Sequence, residues 1–441
     1  MRIEWVNHAS FVLEHGSVRL MTDPWLDQPV FDGGVGLLSE TRFTPDDFAS
    51  ITHIWISHEH PDHFHPATLK RIPDAVRAGI TLLYQDTDHH KVVSWAQGQG
   101  FKAVIELDPA EWVDLGDGLG VRCVPFSRGD SWIAFRAAGK LVLNLNDCVV
   151  ESEDKVRQIR AQLDGHSPDL LLSQFSYGGW AGNKDDPDMR QAYANEMLQR
   201  LIYQTEGLKP TWVLPMASFV WFCHRENHYM NDRSNRVGTV ASFLVQRCKV
   251  KPVVLYPGDR WKLGEKRINR KAIRAYSRDY DRAEQTQDLV THEPVDVDTL
   301  VAQANAFLGQ LKSLNGWLAM RAFRKSKLLM DATVWLTDHE QALLLSPTAG
   351  LSRGETAARD CDIALSSAAL SHCFQFLWGG DNLGINGRYV RPPGGYYHRF
   401  KAYFAVASHN HHKSAPPPKQ VMLGAQEREA AVASGAFAPG Q

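Results

Sequence analysis

The stretch Ser57-His58-Glu59-His60-Pro61-Asp62-His63-Phe64-His65 determines how the rest of the chain is interpreted. It follows directly on the β-branched and aromatic run 51–56, which favours a strand. Side chains at alternate positions of an extended segment point the same way, so His58 and His60 can meet one metal ion. Asp62 and His63 then lie on a turn, where they can face a second ion about 3.5–4 Å away. Four histidines and a carboxylate in this order predict a metal site, since a lone histidine is more often a satisfied polar residue.

The ligand types narrow the choice of metal only partly. Imidazole suits zinc, iron, manganese and nickel, and an added carboxylate keeps the site open to harder ions. We therefore expect one or two divalent metal ions, with iron and zinc as the two candidates.

The remaining chain is predicted to fold as an α/β protein with an extension. Short strand patterns separated by turn signals fill the first 150 residues, and helical and strand patterns then mix. The expected units are a metal-binding domain over residues 1–262, a helical and mixed C-terminal extension over 263–413 and a disordered tail over 414–441. Residues 263–288 are rich in Arg, Lys, Asp and Glu and are expected to form an exposed helix. Residues 296–324 have the pattern of an amphipathic helix.

Composition excludes several classes of function. The chain has 441 residues with 48 Lys and Arg against 50 Asp and Glu, which argues against a nucleic-acid binder that relies on a broad basic surface. No apolar run reaches about 18 residues, so we expect no membrane span. The six cysteines form no Cys-x-x-Cys pair, and no apolar signal segment begins the chain, so a cytoplasmic location is expected.

The residue order His-x-His-x-Asp-His resembles the metallo-β-lactamase fold. The resemblance implies an αββα sandwich, with helices on both outer faces and the metals at one edge. His8-Ala-Ser and Thr22-Asp-Pro-Trp25 are similar to the lactonase-like branch of that fold. Longer stretches look most like the metallo-β-lactamase part of the CMP-N-acetylneuraminate hydroxylase family, and these are 23–31, 54–63, 143–148, 172–179 and 213–229, with a weaker likeness at 379–389.

The resemblance also implies further ligands. Asp147 matches the bridging carboxylate, although it can also be a turn-capping residue. His224 matches the final histidine, with His228 as a rival. The predicted metal ligands are therefore His58, His60, Asp62, His63, Asp147 and His224, and the predicted catalytic residues are Asp62 and His224.

Two departures from the family pattern limit what can be carried over. The hydroxylases have a Rieske domain with Cys-x-His and Cys-x-x-His pairs, and this chain contains neither pair. The fold usually places a third metal histidine where this chain reads Arg128-Gly-Asp130. Asp130 can substitute for it, His224 or His228 can swing in, or one ion binds firmly and a second weakly.

Three residues are predicted to contact substrate. Arg128 and Lys184 can place positive charge near an anionic group, although both can equally be solvated charges. Tyr177, in the aromatic and glycine-rich stretch 175–180, either lines a pocket or belongs to a turn.

Three functions remain open at this point. The first is an oxygenase or hydroxylase component with non-haem iron, a small and nucleotide-sugar-like substrate and a separate Rieske or ferredoxin-type electron donor. The second is a hydrolase of a phosphodiester, lactone or amide, in which a metal lowers the pKa of its bound water to about 7. The third is a metal-binding scaffold whose site has decayed.

Overall fold

The computed structural model describes residues 1–88 and 90–412, apart from the side chains of Arg128 and His412. The strands in this part are, in chain order, β1 (Arg2–Asn7), β2 (Ser10–His15), β3 (Val18–Thr22), β4 (Val35–Leu37), β5 (His53–Ile56), β6 (Thr81–Gln85), β7 (Ala103–Leu107), β8 (Val113–Asp114), β9 (Gly120–Pro125), β10 (Ser131–Ala137), β11 (Lys140–Asn144), β12 (Leu170–Gln174), β13 (Trp212–Met216), β14 (Val220–Phe222), β15 (Lys251–Pro252), β16 (Arg260–Lys262), β17 (Ala332–Leu336), β18 (Gln341–Ser346), β19 (Gly350–Arg353) and β20 (Ile363–Leu365). The α-helices are α1 (Pro66–Lys70), α2 (Asp74–Arg77), α3 (Lys91–Gln97), α4 (Glu153–Gln162), α5 (Pro187–Leu208), α6 (Val237–Gln246), α7 (Arg270–Gln285), α8 (Val297–Asn315), α9 (Trp317–Lys325), α10 (Ser367–Gln375), α11 (Gly379–Asn386) and α12 (Tyr397–His412). The tail predicted over 414–441 lies outside the described residues.

Two seven-stranded sheets form the centre of the N-terminal part. The first has the order β16-β1-β2-β3-β5-β6-β7, and the second has the order β15-β13-β12-β11-β10-β9-β8. Strands β3, β5, β6 and β7 run parallel, as do β11, β12, β13 and β15. The carboxyl ends of these parallel strands bring several loops to one edge of the sandwich.

Strand β5 shows why both faces of the first sheet are apolar. Successive side chains of a strand point to opposite faces. Trp55 packs in the core between the two sheets, with Phe135 of β10, whereas Ile54 and Ile56 pack in a separate cluster with Leu69 of α1. Residues of α4, α5 and α6 pack against the second sheet. Helices therefore cover both sheets, and the predicted αββα sandwich is confirmed.

The C-terminal part packs in a second core, which also contains residues of the N-terminal part such as Trp25, Phe31 and Tyr177. The four-stranded sheet β19-β18-β17-β20 packs with α8, α10 and α12 around Phe307, Leu343 and Tyr403. The helix predicted over 296–324 is divided into α8 and α9 at Gly316, whose φ of +76° lies in a region that favours glycine.

The packing changes later in the chain than the boundary predicted after residue 262. The charged segment that forms α7 was expected to be an exposed helix, yet its Tyr276 is buried in the core between the two sheets, where its hydroxyl accepts a hydrogen bond from Trp5 Nε1 at 3.0 Å. Residues of α8 belong to the second core. We therefore propose that the two units meet between α7 and α8. No helix in the described ranges combines the length and apolar character that crossing a membrane requires.

Candidate metal centre

Loops from both sheets meet beside the carboxyl end of β5. The segment 57–65 follows β5, Asp23 follows β3, and Asp147 lies shortly after β11. Asp130 lies immediately before β10, and Ser131 Oγ donates to the Ser57 carbonyl at 2.6 Å, which fixes this loop against the end of β5. The sandwich therefore gathers polar side chains that are far apart in sequence.

His58, His60 and Asp130 form the first group of possible ligands. Each offers one ligand atom, and these atoms lie within 4.8 Å of one another. His58 Nε2 is 2.9 Å from His60 Nδ1 and 3.9 Å from Asp130 Oδ1. Asp130 is buried, and its carboxylate is the third possible ligand of this group.

The second set of ligand atoms surrounds His63. Its Nε2 is 3.5 Å from Asp62 Oδ2 and 3.4 Å from Asp147 Oδ2. His8, in the turn between β1 and β2, adds an Nε2 at 3.3 Å from Asp62 Oδ2. His8, Asp62 and His63 form one group within 4.8 Å, and His58, His63 and Asp147 form another. All of these residues, with His60 and Asp130, are called the ligand cluster below.

Several buried atoms of the ligand cluster have no hydrogen-bond partner. They are His63 Nε2, Asp62 Oδ1 and both ring nitrogens of His8. A buried polar atom without a partner destabilises the fold by about 1–3 kcal/mol, so native proteins rarely leave several together. Nitrogen and carboxylate oxygen are the donors that iron and zinc take. The residues present therefore fit one or two divalent metal ions.

Asp23 fixes the orientation of the ligand cluster from behind. Its buried carboxylate accepts hydrogen bonds from Ser57 N at 2.7 Å, Ser57 Oγ at 2.8 Å and Asn146 Nδ2 at 2.6 Å. It also lies 3.0 Å from His63 Nδ1. When His63 donates from Nδ1 to this carboxylate, the lone pair of Nε2 faces the centre, which is the usual second-shell arrangement of a metal-binding histidine.

Burial and the neighbouring carboxylates shift the pKa values of the ligand cluster in opposite directions. Burial lowers the pKa of His58, and the neighbouring His63 and His60 lower it further, which favours a neutral imidazole. Burial also acts to lower the pKa of His63, but the charges of Asp62 and Asp147 outweigh it and raise that pKa. Burial acts to raise the pKa of Asp62, yet His63 and His8 hold it well below its ordinary value. Asp62 is therefore an ionised, acceptor-only carboxylate.

The structure does not bring His224 into the ligand cluster. His224 belongs to none of the groups of possible ligands among the described residues. Its Nε2 lies 3.0 Å from His292 Nδ1, and burial, followed by Arg388, lowers its pKa to about 3. His228 is engaged elsewhere too, because its Nε2 donates to the Ala283 carbonyl at 2.7 Å. Of the three replacements considered for the missing histidine, the geometry favours Asp130.

The three residues predicted to contact substrate lie in different surroundings. Tyr177 is buried, stacks on Phe222 and donates its hydroxyl to the Met230 carbonyl, and burial raises its pKa. Lys184 is exposed. The backbone of Arg128 lies in a short 3-10 helix, but its side chain is outside the described part of the chain.

Two residues of the centre were not assigned a role from the sequence. His8 and Asp23 were noted only as parts of family-like motifs. Each follows a short strand. Polar residues at strand ends near a metal-binding motif are candidates for the same site, and this pattern could have identified both from the sequence. The pairing of β3 with β5 then places Asp23 beside Ser57.

Comparisons with known proteins agree with this geometry. Residues 2–106 match the beta-lactamase superfamily domain. The chain is 23% identical over 253 residues to the cytidine monophosphate-N-acetylneuraminic acid hydroxylase of Danio rerio, covering 53% of this chain and 41% of the relative. It is 25% identical over 258 residues to a predicted Rieske 2Fe-2S iron-sulfur protein of Mycolicibacterium smegmatis, covering 53% and 46%. It is 30% identical over 127 residues to a metal-dependent hydrolase of Pyrobaculum aerophilum, covering 28% and 49%.

The matches cover less than half the length of each of these relatives. The family match over residues 2–106 includes His8, Asp23 and the histidine-rich loop. Residues 2–106 are therefore similar to the beta-lactamase superfamily domain, and they carry most of the first sheet of the sandwich.

Proposed function

We propose that the protein is an oxygenase or hydroxylase component that uses non-haem iron on a small molecule. The observation that carries this proposal is Asp130, which gives the first group two histidines and one carboxylate. That combination, with open positions, is typical of non-haem Fe(II) oxygenases. The similarity to a hydroxylase over 53% of the chain supports the same chemistry.

Iron held by the ligand cluster supplies the activation of dioxygen. The chain's own residues orient and shield the site. Asp23 holds His63 by a contact of 3.0 Å to Nδ1, and His8 lies 3.3 Å from Asp62, which restricts rotation of that carboxylate. Beside His60 lies a cavity of about 360 Å³ with aromatic walls, which excludes bulk water from a bound substrate.

We further propose that electrons come from a separate Rieske or ferredoxin-type protein. The sequence contains neither of the Cys-x-His and Cys-x-x-His pairs that hold a Rieske cluster. The similarity to a Rieske-type protein of Mycolicibacterium smegmatis supports a connection between this kind of chain and such a donor.

Elemental analysis combined with a substitution at Asp130 tests the proposal. Protein from cultures supplied equally with iron and zinc should retain iron and consume dioxygen when given a reductant and a substrate. Asp130→His supplies the nitrogen ligand that zinc accepts readily, so the iron-to-zinc ratio should fall. Asp185→His, at an exposed position, is the matched control and should leave the ratio unchanged. Retention of zinc alone by the wild type, with turnover under argon, would contradict the proposal.

A metal-dependent hydrolase is the second candidate. The observation that favours it is the 30% identity, over 127 residues, to a metal-dependent hydrolase of Pyrobaculum aerophilum. A divalent ion in this site supplies a nucleophilic hydroxide at neutral pH. Zinc-supported hydrolysis of a lactone or phosphodiester without dioxygen would select this candidate.

A further inference from the structure

The cavity beside His60 has walls built from both halves of the chain. Its volume is about 360 Å³, near the lower end of the roughly 300–1,000 Å³ of small-ligand sites. The apolar part of the lining consists of Phe31, Phe64, Val92, Trp95, Trp378 and Ile385. Phe31 approaches His60 with ring centroids 6.1 Å apart, so the cavity opens on the ligand cluster. A substrate held there is adjacent to the metal-binding side chains.

The aromatic residues form a rigid wall for a flat apolar group. Phe64 and Trp95 meet edge to face with centroids 5.0 Å apart. Trp378 stacks on Phe376 with centroids 4.6 Å apart on the opposite, C-terminal part. Aromatic side chains bind rings by offset or edge contacts and bind cations over their faces. The wall therefore favours a ring and tolerates a positive charge.

The charged side chains that line the cavity do not favour the binding of an anion. Lys91 Nζ lies 3.8 Å from a Glu59 carboxylate oxygen and also donates to the His411 carbonyl. His411 Nε2 is 3.3 Å from the same carboxylate oxygen. Lys91 is thus already bound to acceptors of the protein, and it would have to leave them before it could bind a phosphate.

Asp381 differs from Glu59, because no ion pair joins it to any described cation. It lies in the first turn of α11, where the helix dipole stabilises its negative charge. A carboxylate at the rim of an aromatic cavity binds an ammonium group and repels a phosphate.

We propose that this cavity selects a ring-bearing, apolar substrate with a protonated amine, and that it discriminates against phosphate-bearing molecules such as nucleotide sugars. The inference rests on the proposed function of the same site, and it replaces the nucleotide-sugar-like substrate expected from the sequence. The ring lies between the walls of Phe64, Trp95 and Trp378, and the ammonium group lies at Asp381.

Calorimetric titration of the full chain loaded with zinc, which is redox-silent, tests the selectivity. The probes are 2-phenylethylamine, 2-phenylethanol and cytidine monophosphate. The amine should bind about threefold more tightly than the alcohol, because an ion pair with the exposed Asp381 stabilises a complex by less than about 1 kcal/mol. Asp381→Asn should abolish this preference, whereas Asp185→Asn, at an exposed site, should preserve it.

Aromatic substitutions separate the two parts of the site. Trp95→Ala and Trp378→Ala should weaken the amine and the alcohol alike, and Trp317→Ala, which changes an exposed tryptophan, should change neither. If Trp95→Ala does not fold, Trp95→Phe, which retains an aromatic ring in the wall, is measured in its place. Equal affinity for amine and alcohol, absence of amine binding, or tighter binding of cytidine monophosphate overturns the inference. Failure of the proposed function would appear separately, as absence of dioxygen consumption by the iron-loaded protein.

Discussion

Replacing Arg388 by methionine should loosen the contact between the two units that enclose the cavity. Arg388 is fully buried just after α11, and its Nε donates to Glu226 at 2.9 Å. Its Nη1 donates to the Asp32 carbonyl at 3.0 Å and pairs with the Asp32 carboxylate. Asp32 and Glu226 belong to the N-terminal unit, so one guanidinium joins its loops to the C-terminal unit.

The size of the effect follows from what the substitution leaves behind. Removing one partner of a buried ion pair destabilises a protein by about 3–5 kcal/mol, because the remaining charges lose their compensation. The side chains of Asp32 and Glu226 are 16% and 30% exposed, so water reaches them in part. We therefore expect the free energy of unfolding to fall by about 3 kcal/mol, at the lower end of that range. This is a large fraction of the roughly 5–15 kcal/mol by which folded proteins are stable.

Urea unfolding followed by tryptophan fluorescence measures this loss. Arg388→Lys keeps the charge without the planar fork and should lose less than Arg388→Met. In the double variant with Asp32→Asn, the two losses of unfolding free energy should be less than additive, because both substitutions remove the same contact between Arg388 and Asp32. Arg247→Met, at an exposed residue 3.2 Å from the exposed Glu206, is the control and should change stability by less than about 0.5 kcal/mol. A loss below about 1 kcal/mol for Arg388→Met, or full additivity, would refute the reasoning.

Three further predictions concern the ligand cluster and its surroundings. Asp23→Asn should weaken metal affinity about 10–100-fold in a competition titration with a chelator, because His63 loses the carboxylate that orients it; unchanged affinity would contradict that role. Chelation of bound metal should lower the melting temperature, since an ion at 100 times its Kd stabilises the folded state by about 2.7 kcal/mol; a melting curve insensitive to chelator would argue against a preformed site. Lowering the pH should destabilise the protein through His224, whose pKa is about 3 when folded, against about 6.5 unfolded. As the pH falls, His224 becomes protonated in the unfolded chain before it does so in the folded protein. Its contribution to the free energy of unfolding is therefore fully present above pH 6.5 and is smaller by about 2 kcal/mol at pH 5. His224→Gln should flatten this pH dependence in urea titrations, while the exposed His166→Gln should not.

The loop that carries the predicted metal ligands could be predicted from the sequence, because its pattern lies within one short segment. The alternation of Ile54, Trp55 and Ile56 predicts a strand covered on both faces, and the histidines that follow have the spacing of metal ligands. Nothing beyond the segment itself is needed to place His58 and His60 together. The αββα class followed from the same order of residues through its family resemblance.

The sequence did not show whether Asp130 or His224 takes the place of the missing histidine, because the positions of both residues depend on contacts distant in sequence. Asp130 reaches the cluster because the β9–β10 hairpin packs beside β5, through Ser131 and the Ser57 carbonyl. His224 follows β14, which pairs with β4 and leads the chain toward His292 instead. A sequence shows that each residue follows or precedes a strand, but it does not show which edge that strand joins.

The location of α7 illustrates a second limit. Its composition is strongly charged, and that pattern is typical of an exposed helix between units. Tyr276 and Tyr280 nevertheless lie on one face of the helix and are buried in the core between the sheets. A narrow apolar stripe is sufficient to dock a helix when the other faces remain solvated. Average composition over 263–288 predicts an exposed helix, but it does not show that one face of that helix is buried.

The C-terminal unit lines part of the cavity beside His60, but it supplies none of the ligand cluster. Every residue of the ligand cluster lies between His8 and Asp147. The cavity, in contrast, takes Trp378, Asp381 and three further lining residues from the C-terminal unit. The match to the beta-lactamase superfamily domain ends at residue 106, so it covers metal-binding loops and none of that C-terminal wall. Under the proposed function, chains that share the first part can hold the same metals and still act on different molecules, because the C-terminal residues form part of the cavity beside His60.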